Sequence, residues 1–154
     1  MNLDENSKKS LINLFESKKS LTIALLRARE ALLLSFRPLL AKHNFTEQQW
    51  RVLRVLGEKG PCDAGNLAHE ACVLAPSLSR IINTLISNKY IEKTIHETDK
   101  RKIILKISDY GIEMLEQIKP EYIAVLKSIQ KKYGEEKLSN LLNLLAEITT
   151  WNGR

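Results

Sequence analysis

No apolar run in this chain of 154 residues approaches the length of about 20 residues that a membrane-spanning helix needs. Residues 1–10 are polar, and no short apolar block precedes a small-residue cleavage site, so no secretory signal is expected and the cytoplasm is the expected compartment. Cysteine is scarce: Cys62 and Cys72 stand ten residues apart without forming a C-x-x-C pair. That excludes a dithiol or thiolate metal motif and leaves two small buried thiols as the expectation. The three histidines, His43, His69 and His96, fall on different elements without the i, i+4 spacing of a helical metal site, so no metal is expected. A nucleophile elbow, a phosphate loop and a paired-carboxylate arrangement are all missing, so neither an enzyme nor a cofactor is expected. Internal repeats, low-complexity segments and flexible linkers are missing too.

What is present begins with charge. A net charge of +6 and a pI near 9.3 favour a polyanionic partner. The excess is local. Residues 89–106 carry six Lys or Arg against three acids, whereas residues 110–154 carry six of each.

Apolar spacing at Leu21, Leu25, Ala28, Leu32, Phe36 and Leu39 predicts one long helix to about His43, its last turn bent at Pro38. Leu11, Leu14 and Phe15 suggest a helical arm before it. Thr46 with Gln49 three residues on predicts a capping box for a second helix through Trp50, Leu53 and Leu56, stopping at Gly57 to Gly60. Two short helices follow, within residues 63–72 and 73–91. The second buries Leu78, Ile81, Ile82, Leu85 and Ile86, and Pro76 fits its first turn. Residues 90–97 and 102–108 read as two strands of a ribbon, anchored by Ile103, Leu105 and Ile107. A helix from Ile112 to Tyr133, kinked or restarted at Pro120, and another through Leu138 to Ile148 complete the chain. Two short helices and a two-stranded ribbon make a winged helix-turn-helix. The expected fold is therefore mainly α with a small β-hairpin wing. It divides into an N-terminal arm and dimerisation helix (1–45), a winged DNA-binding domain (46–109) and C-terminal dimerisation helices (110–154). Long helices at both ends with apolar faces left over argue for a homodimer.

A helix entering a major groove needs a narrow face of hydrogen-bonding groups. Ser77, Ser79, Arg80, Asn83 and Thr84 lie opposite the buried stripe. Serine hydroxyls suit phosphates or base edges, Arg80 suits guanine and Asn83 adenine. The alternative is a solvated face with a capping serine. The loop "TDKR" has neither Gly nor Pro to make a tight hairpin turn. As a wing it would send Arg101 into the minor groove, with Asp99 bracing its rotamer and Lys100 and Lys102 serving phosphates. The alternative is an exposed ion pair in a charged turn. Each feature alone has its bland explanation; the two in succession, at the spacing of a winged helix, point to double-stranded DNA.

The stretch "LAPSLSRIINTLISNKYIEKTIHETDKRKIILKISDYG" also resembles the recognition helix, wing and following helix start of MarR-family transcriptional regulators. Asp99, Arg101 and "SDYG" at Ser108–Gly111 match the family's Asp-x-Arg wing and Ser/Thr-x-x-Gly turn. "LLRAREALLLSFRPLL", "NFTEQQWRVLRVL" and "EACVLAPSLS" are similar to the homoprotocatechuate-operon repressor branch. Arg80 departs from that branch, which carries a small residue there, and residues 1–19 lie outside the match. The resemblance implies a homodimeric repressor on a pseudo-palindromic operator, released by a small phenolic or aromatic acid. The implied cleft residues are Arg29, Trp50 and Arg51: an arginine for the carboxylate and Trp50 as an aromatic wall. Against this, Trp50 suits the core, and either arginine suits Glu30, Glu47 or a phosphate as partner. Other expectations within the same fold are a redox-responsive repressor sensing oxidants through Cys72 and a non-specific DNA-architectural protein. A protein–protein adaptor that uses the winged domain without DNA is a further one.

Overall fold

A computed structural model describes residues 4–6, 20–95, 99 and 102–150. The expected arm around Leu11, Leu14 and Phe15 lies outside the described residues, as do His96, Lys100 and Arg101. Described are α1 (Leu21–Lys42), α2 (Glu47–Lys59), β1 (Cys62–Asp63), α3 (Ala64–Glu70), α4 (Ala75–Ser87), β2 (Ile91–Ile95), β3 (Ile103–Ile107), α5 (Asp109–Tyr133) and α6 (Glu135–Thr150). None of these helices is long and apolar enough to cross a membrane.

Helix α2 begins as its sequence predicts. The Thr46 hydroxyl accepts the Gln49 N–H at 3.2 Å, and the Gln49 carboxamide accepts the Thr46 N–H at 2.9 Å. Two orphan donors of the first turn are thereby satisfied. The helix runs through Gly57 and ends at Gly60, whose φ of +83° few other residues adopt without strain. Gly57 instead makes room for Leu115 of α5.

Val52, Leu53 and Leu56 of α2, Leu67 of α3, and Leu78, Ile81, Ile82 and Leu85 of α4 form the centre of the core, with Ile91, Leu105 and Ile118. Ile86, expected in the same stripe, is only partly buried at its edge. Truncating a fully buried leucine such as Leu53 to alanine costs about 2–5 kcal/mol in comparable cores.

The sheet has three strands, in the order β1-β3-β2, where a two-stranded ribbon was expected. Cys62 pairs with Leu105 and Asp63 with Ile104. Two residues between Pro61 and a helix cap are too few to show alternation, so β1 leaves no periodic signal. The ribbon's anchor is also shorter than expected. Leu105 is buried and Ile107 partly so, but Ile103 is 53% exposed opposite Ile95 at 67%. The distal end of the hairpin stands clear of the core.

Of the expected kink or restart at Pro120, no restart occurs: α5 runs through it as one helix. The turns either side are held by tertiary packing: Ile118 is fully buried, and the Tyr122 ring lies 4.6 Å from that of Phe36. Helix α1 likewise continues four residues past Pro38. Only its C-terminal part is buried, through Phe36, Leu39 and Leu40, while Leu26 and Leu34 are exposed. No residue of α6 is buried.

Candidate functional site

Helix α4 presents Ser77, Ser79, Arg80 and Asn83 to solvent, with Thr84 half-buried at the edge. The helix forms because its apolar residues recur at three- and four-residue spacing, leaving the first four away from the core and Thr84 at its margin. Its first turn has no side-chain cap, and Pro76 stands in it where a missing N–H costs nothing. Thr84 is turned back on the helix, donating to the Arg80 carbonyl at 3.1 Å. Ser77, Arg80 and Thr84 share a shallow depression of about 480 Å³ with Thr46, Gln48 and Gln49 at the start of α2. Those α2 residues escaped sequence reasoning, because only the fold lays one helix start beside the other.

At the loop, the Lys102 N–H donates to the Asp99 carbonyl at 2.9 Å, closing a four-residue turn. Lys102 is exposed, and its charge acts on Asp63 at the start of α3. That carboxyl sits below its ordinary value chiefly because it accepts the Asn66 N–H, with Lys102 a lesser cause. The pairing of Asp99 with Arg101 lies outside the described residues.

On the other side of α2, Arg29, Trp50 and Arg51 meet at one cavity of about 600 Å³. Its apolar wall includes Leu32, Phe36, Leu141 and Leu145, with the Tyr122 ring beside Phe36. Trp50 is 5% exposed, as the core alternative requires, yet its indole also faces this space. The arginines pair as the alternative partners suggested. Glu47 Oε2 accepts from Arg29 Nη2 at 2.9 Å and from Arg51 Nη2 at 3.2 Å. Arg29 also reaches Glu30 at 3.1 Å, and Arg51 Nη1 donates to the Cys72 carbonyl at 3.3 Å.

Sequence reasoning missed Arg54 and Tyr122 as members of this site. Arg54 Nη1 donates to the Tyr122 hydroxyl at 3.2 Å, its guanidinium lies 5.2 Å from the same ring, and Glu58 accepts from it at 2.6 Å. Burial works against this charge, but Glu58 and Tyr122 outweigh it and hold the guanidinium above its ordinary value. Arg54 was findable, standing one helical turn from Trp50 and Arg51 on the same face. Tyr122 was not, being 68 residues from Arg54.

Two further properties define the cavity. The charged residues lining it are three arginines and two glutamates, Glu47 and Glu58, so it carries one positive charge in excess. Among the described residues, Trp50 Nε1 and Arg51 Nε are buried donors with no acceptor.

Cys62 is half-buried and Cys72 exposed, contrary to the expected pair of buried thiols. Cys72 lies in the turn between α3 and α4 with φ of +47°. Among the described residues no cluster of three His, Cys, Asp or Glu is placed to hold a metal.

Residues 45–103 match the model of the MarR family. The chain is 39% identical to the HTH-type transcriptional regulator FarR of Neisseria gonorrhoeae, over 84% of this chain and 88% of that protein. It is 36% identical to the homoprotocatechuate degradative operon repressor of Escherichia coli, over 83% of this chain and 86% of the repressor. Among solved structures, NadR in complex with 4-hydroxyphenylacetate matches with a TM-score of 0.77 at 37% identity, covering 84% of this chain and 95% of that one. With its winged helix-turn-helix and its extent of identity to these regulators, the chain belongs to the MarR family of transcriptional regulators.

Proposed function

We propose that the protein is a homodimeric repressor that binds a pseudo-palindromic operator and leaves it when a small phenolic or aromatic carboxylic acid enters the cavity beside Arg29, Trp50 and Arg51. The observation that carries the effector class is the cavity's one surplus positive charge, three arginines against Glu47 and Glu58, set beside the rings of Phe36, Trp50 and Tyr122. A monoanion with an aromatic ring supplies what such a cavity lacks. Its carboxylate oxygens offer acceptors, and its ring stacks among Phe36, Trp50 and Tyr122. The volume of about 600 Å³ is ample for one such molecule. That NadR was solved with 4-hydroxyphenylacetate supports the same class.

On DNA, Ser77, Ser79, Arg80, Asn83 and Thr84 read the major groove, with Arg101 in the minor groove braced by Asp99. Lys100 and Lys102 serve phosphates. Gln48 and Thr46, which share a depression with Ser77 and Arg80, are placed to meet the backbone of the same groove.

The test uses a duplex selected from a random library by the protein itself. Preference for that duplex over random DNA at fixed salt separates a specific regulator from an architectural protein. Titrating 4-hydroxyphenylacetate, salicylate and benzoate into the complex should release the duplex and change Trp50 fluorescence in a Trp151→Phe background. A complex indifferent to every one of these acids overturns the effector class.

A further inference from the structure

Arg51 bridges the cavity and the turn that leads into α4. One terminal nitrogen pairs with Glu47, inside the cavity and shared with Arg29; the other donates to the Cys72 carbonyl, outside it. Cys72 belongs to the turn that ends at Leu74, immediately before α4 starts at Ala75. That turn is an unusual piece of backbone. Cys72 holds φ of +47°, a conformation costly to a residue with a side chain, and it persists only where surroundings impose it. Its neighbours are held by main-chain bonds, Ala71 to Leu67, Cys72 to His69 and Val73 to Ala68. Among the described residues, the side chain that clamps its carbonyl is that of Arg51.

We propose that Arg51 is a positioning residue that couples the cavity to the recognition helix: an acid carboxylate that draws its guanidinium away from Glu47 withdraws the hydrogen bond from the Cys72 carbonyl, and the strained turn relaxes and re-aims α4. The coupling rests on the reading of the cavity as an acid site. The order of events follows from geometry. Two guanidiniums compete for a single Glu47 oxygen, so an incoming carboxylate offers Arg51 a better partner than half of an existing one. The bond to Cys72, at 3.3 Å, runs from the same planar guanidinium that pairs with Glu47, so a shift of that group toward a carboxylate withdraws it. Arginine suits this role where lysine does not, because its planar fork holds two acceptors in fixed relation. No wire through the whole domain is needed, only a two-state turn biased from one side.

The experiment is amide hydrogen exchange on the full-length chain, read at Ala71, Cys72 and Val73, for wild type, Arg51→Gln and Arg51→Lys. Both variants should speed these three amides by roughly tenfold or more, leaving those of Leu53 and Ile82 in the core unchanged. The lysine variant keeps the charge beside Glu47 and guards against a loss of fold. Turn amides that exchange as in wild type in both variants overturn the coupling, whatever acids do to DNA binding. A second arm adds saturating 4-hydroxyphenylacetate. It should speed the wild-type turn and leave Arg51→Gln unmoved, a response that a merely structural arginine would not confer. In parallel, the ratio of duplex affinities without and with acid should fall to within about twofold of unity in Arg51→Gln. An acid that alters Trp50 fluorescence but not the turn refutes the coupling and leaves the effector class standing. An acid that fails to bind removes the effector class, and the first arm then decides the coupling by itself.

Discussion

Ser108 shows how much one side chain can tie together. Its hydroxyl accepts the Gly111 N–H at 3.0 Å as the cap of α5 and donates to the Lys89 carbonyl at 2.6 Å, while its own N–H reaches the Tyr90 carbonyl at 3.0 Å. The end of the wing, the start of α5 and the exit of α4 are joined at this point. Gly111 is required for a different reason: any Cβ there would collide with the Tyr90 carbonyl and Ile107. Ser108→Ala should therefore lose about 1–2 kcal/mol in chemical denaturation. Gly111→Ala should lose about 1–3 kcal/mol or shift the wing, visible as faster exchange in β3. The Ser-x-x-Gly pattern was legible in sequence as a family feature; its cause, a backbone approach from the far side of α4, was not. Arg29, Trp50 and Arg51 were legible as candidates in the same way. That one Glu47 oxygen holds both arginines depends on an 18-residue separation that no local pattern encodes.

At the scale of elements, α4 and the wing make different claims on DNA. Arg80→Ala should relax discrimination at one base position by about 1–3 kcal/mol, because a bidentate guanine contact carries sequence information. Lys100→Ala should weaken all duplexes alike and lower the slope of log affinity against log salt by about one. Both are read from binding isotherms at several salt concentrations, and a uniform loss on Arg80→Ala would take that residue out of direct readout. A second junction fixes α1 to α5. Glu121 accepts from Lys42 at 2.9 Å and lies 3.2 Å from His43 Nε2. Lys42 first, then His43, hold its carboxyl below the ordinary value of 4.5. A carboxyl depressed in the folded state stabilises above its unfolded value and ceases to do so as pH falls through the folded one. The melting temperature of Glu121→Gln should thus lie slightly below wild type at pH 7, and the gap should close as the pH drops below 4.5. A gap that persists in acid would show that packing, not charge, joins the helices there.

For the whole molecule, the uncovered apolar faces are the deciding feature. Leu26 and Leu34 on α1 and Leu142 and Leu144 on α6 are each more than half exposed, and no residue of α6 is fully buried within the protomer. Faces of that size on terminal helices call for a second copy. Leu142→Glu combined with Leu34→Glu should convert a dimer to a species of 17.6 kDa in sedimentation equilibrium with helix content retained. A wild-type protein already sedimenting at that mass would contradict the homodimer. Periodicity was sufficient to order the helices and to set the exposed polar face of α4 against its buried stripe, because these depend on residues three or four apart meeting one core. The capping box at Thr46 and the buried stripe of α4 were local for the same reason. Tertiary structure alone decided the third strand, the unbroken passage of α5 through Pro120, the exposure of Cys72 and the cavity's surplus charge. Each of those arises from groups far apart in the chain, and only packing sets the distance between them.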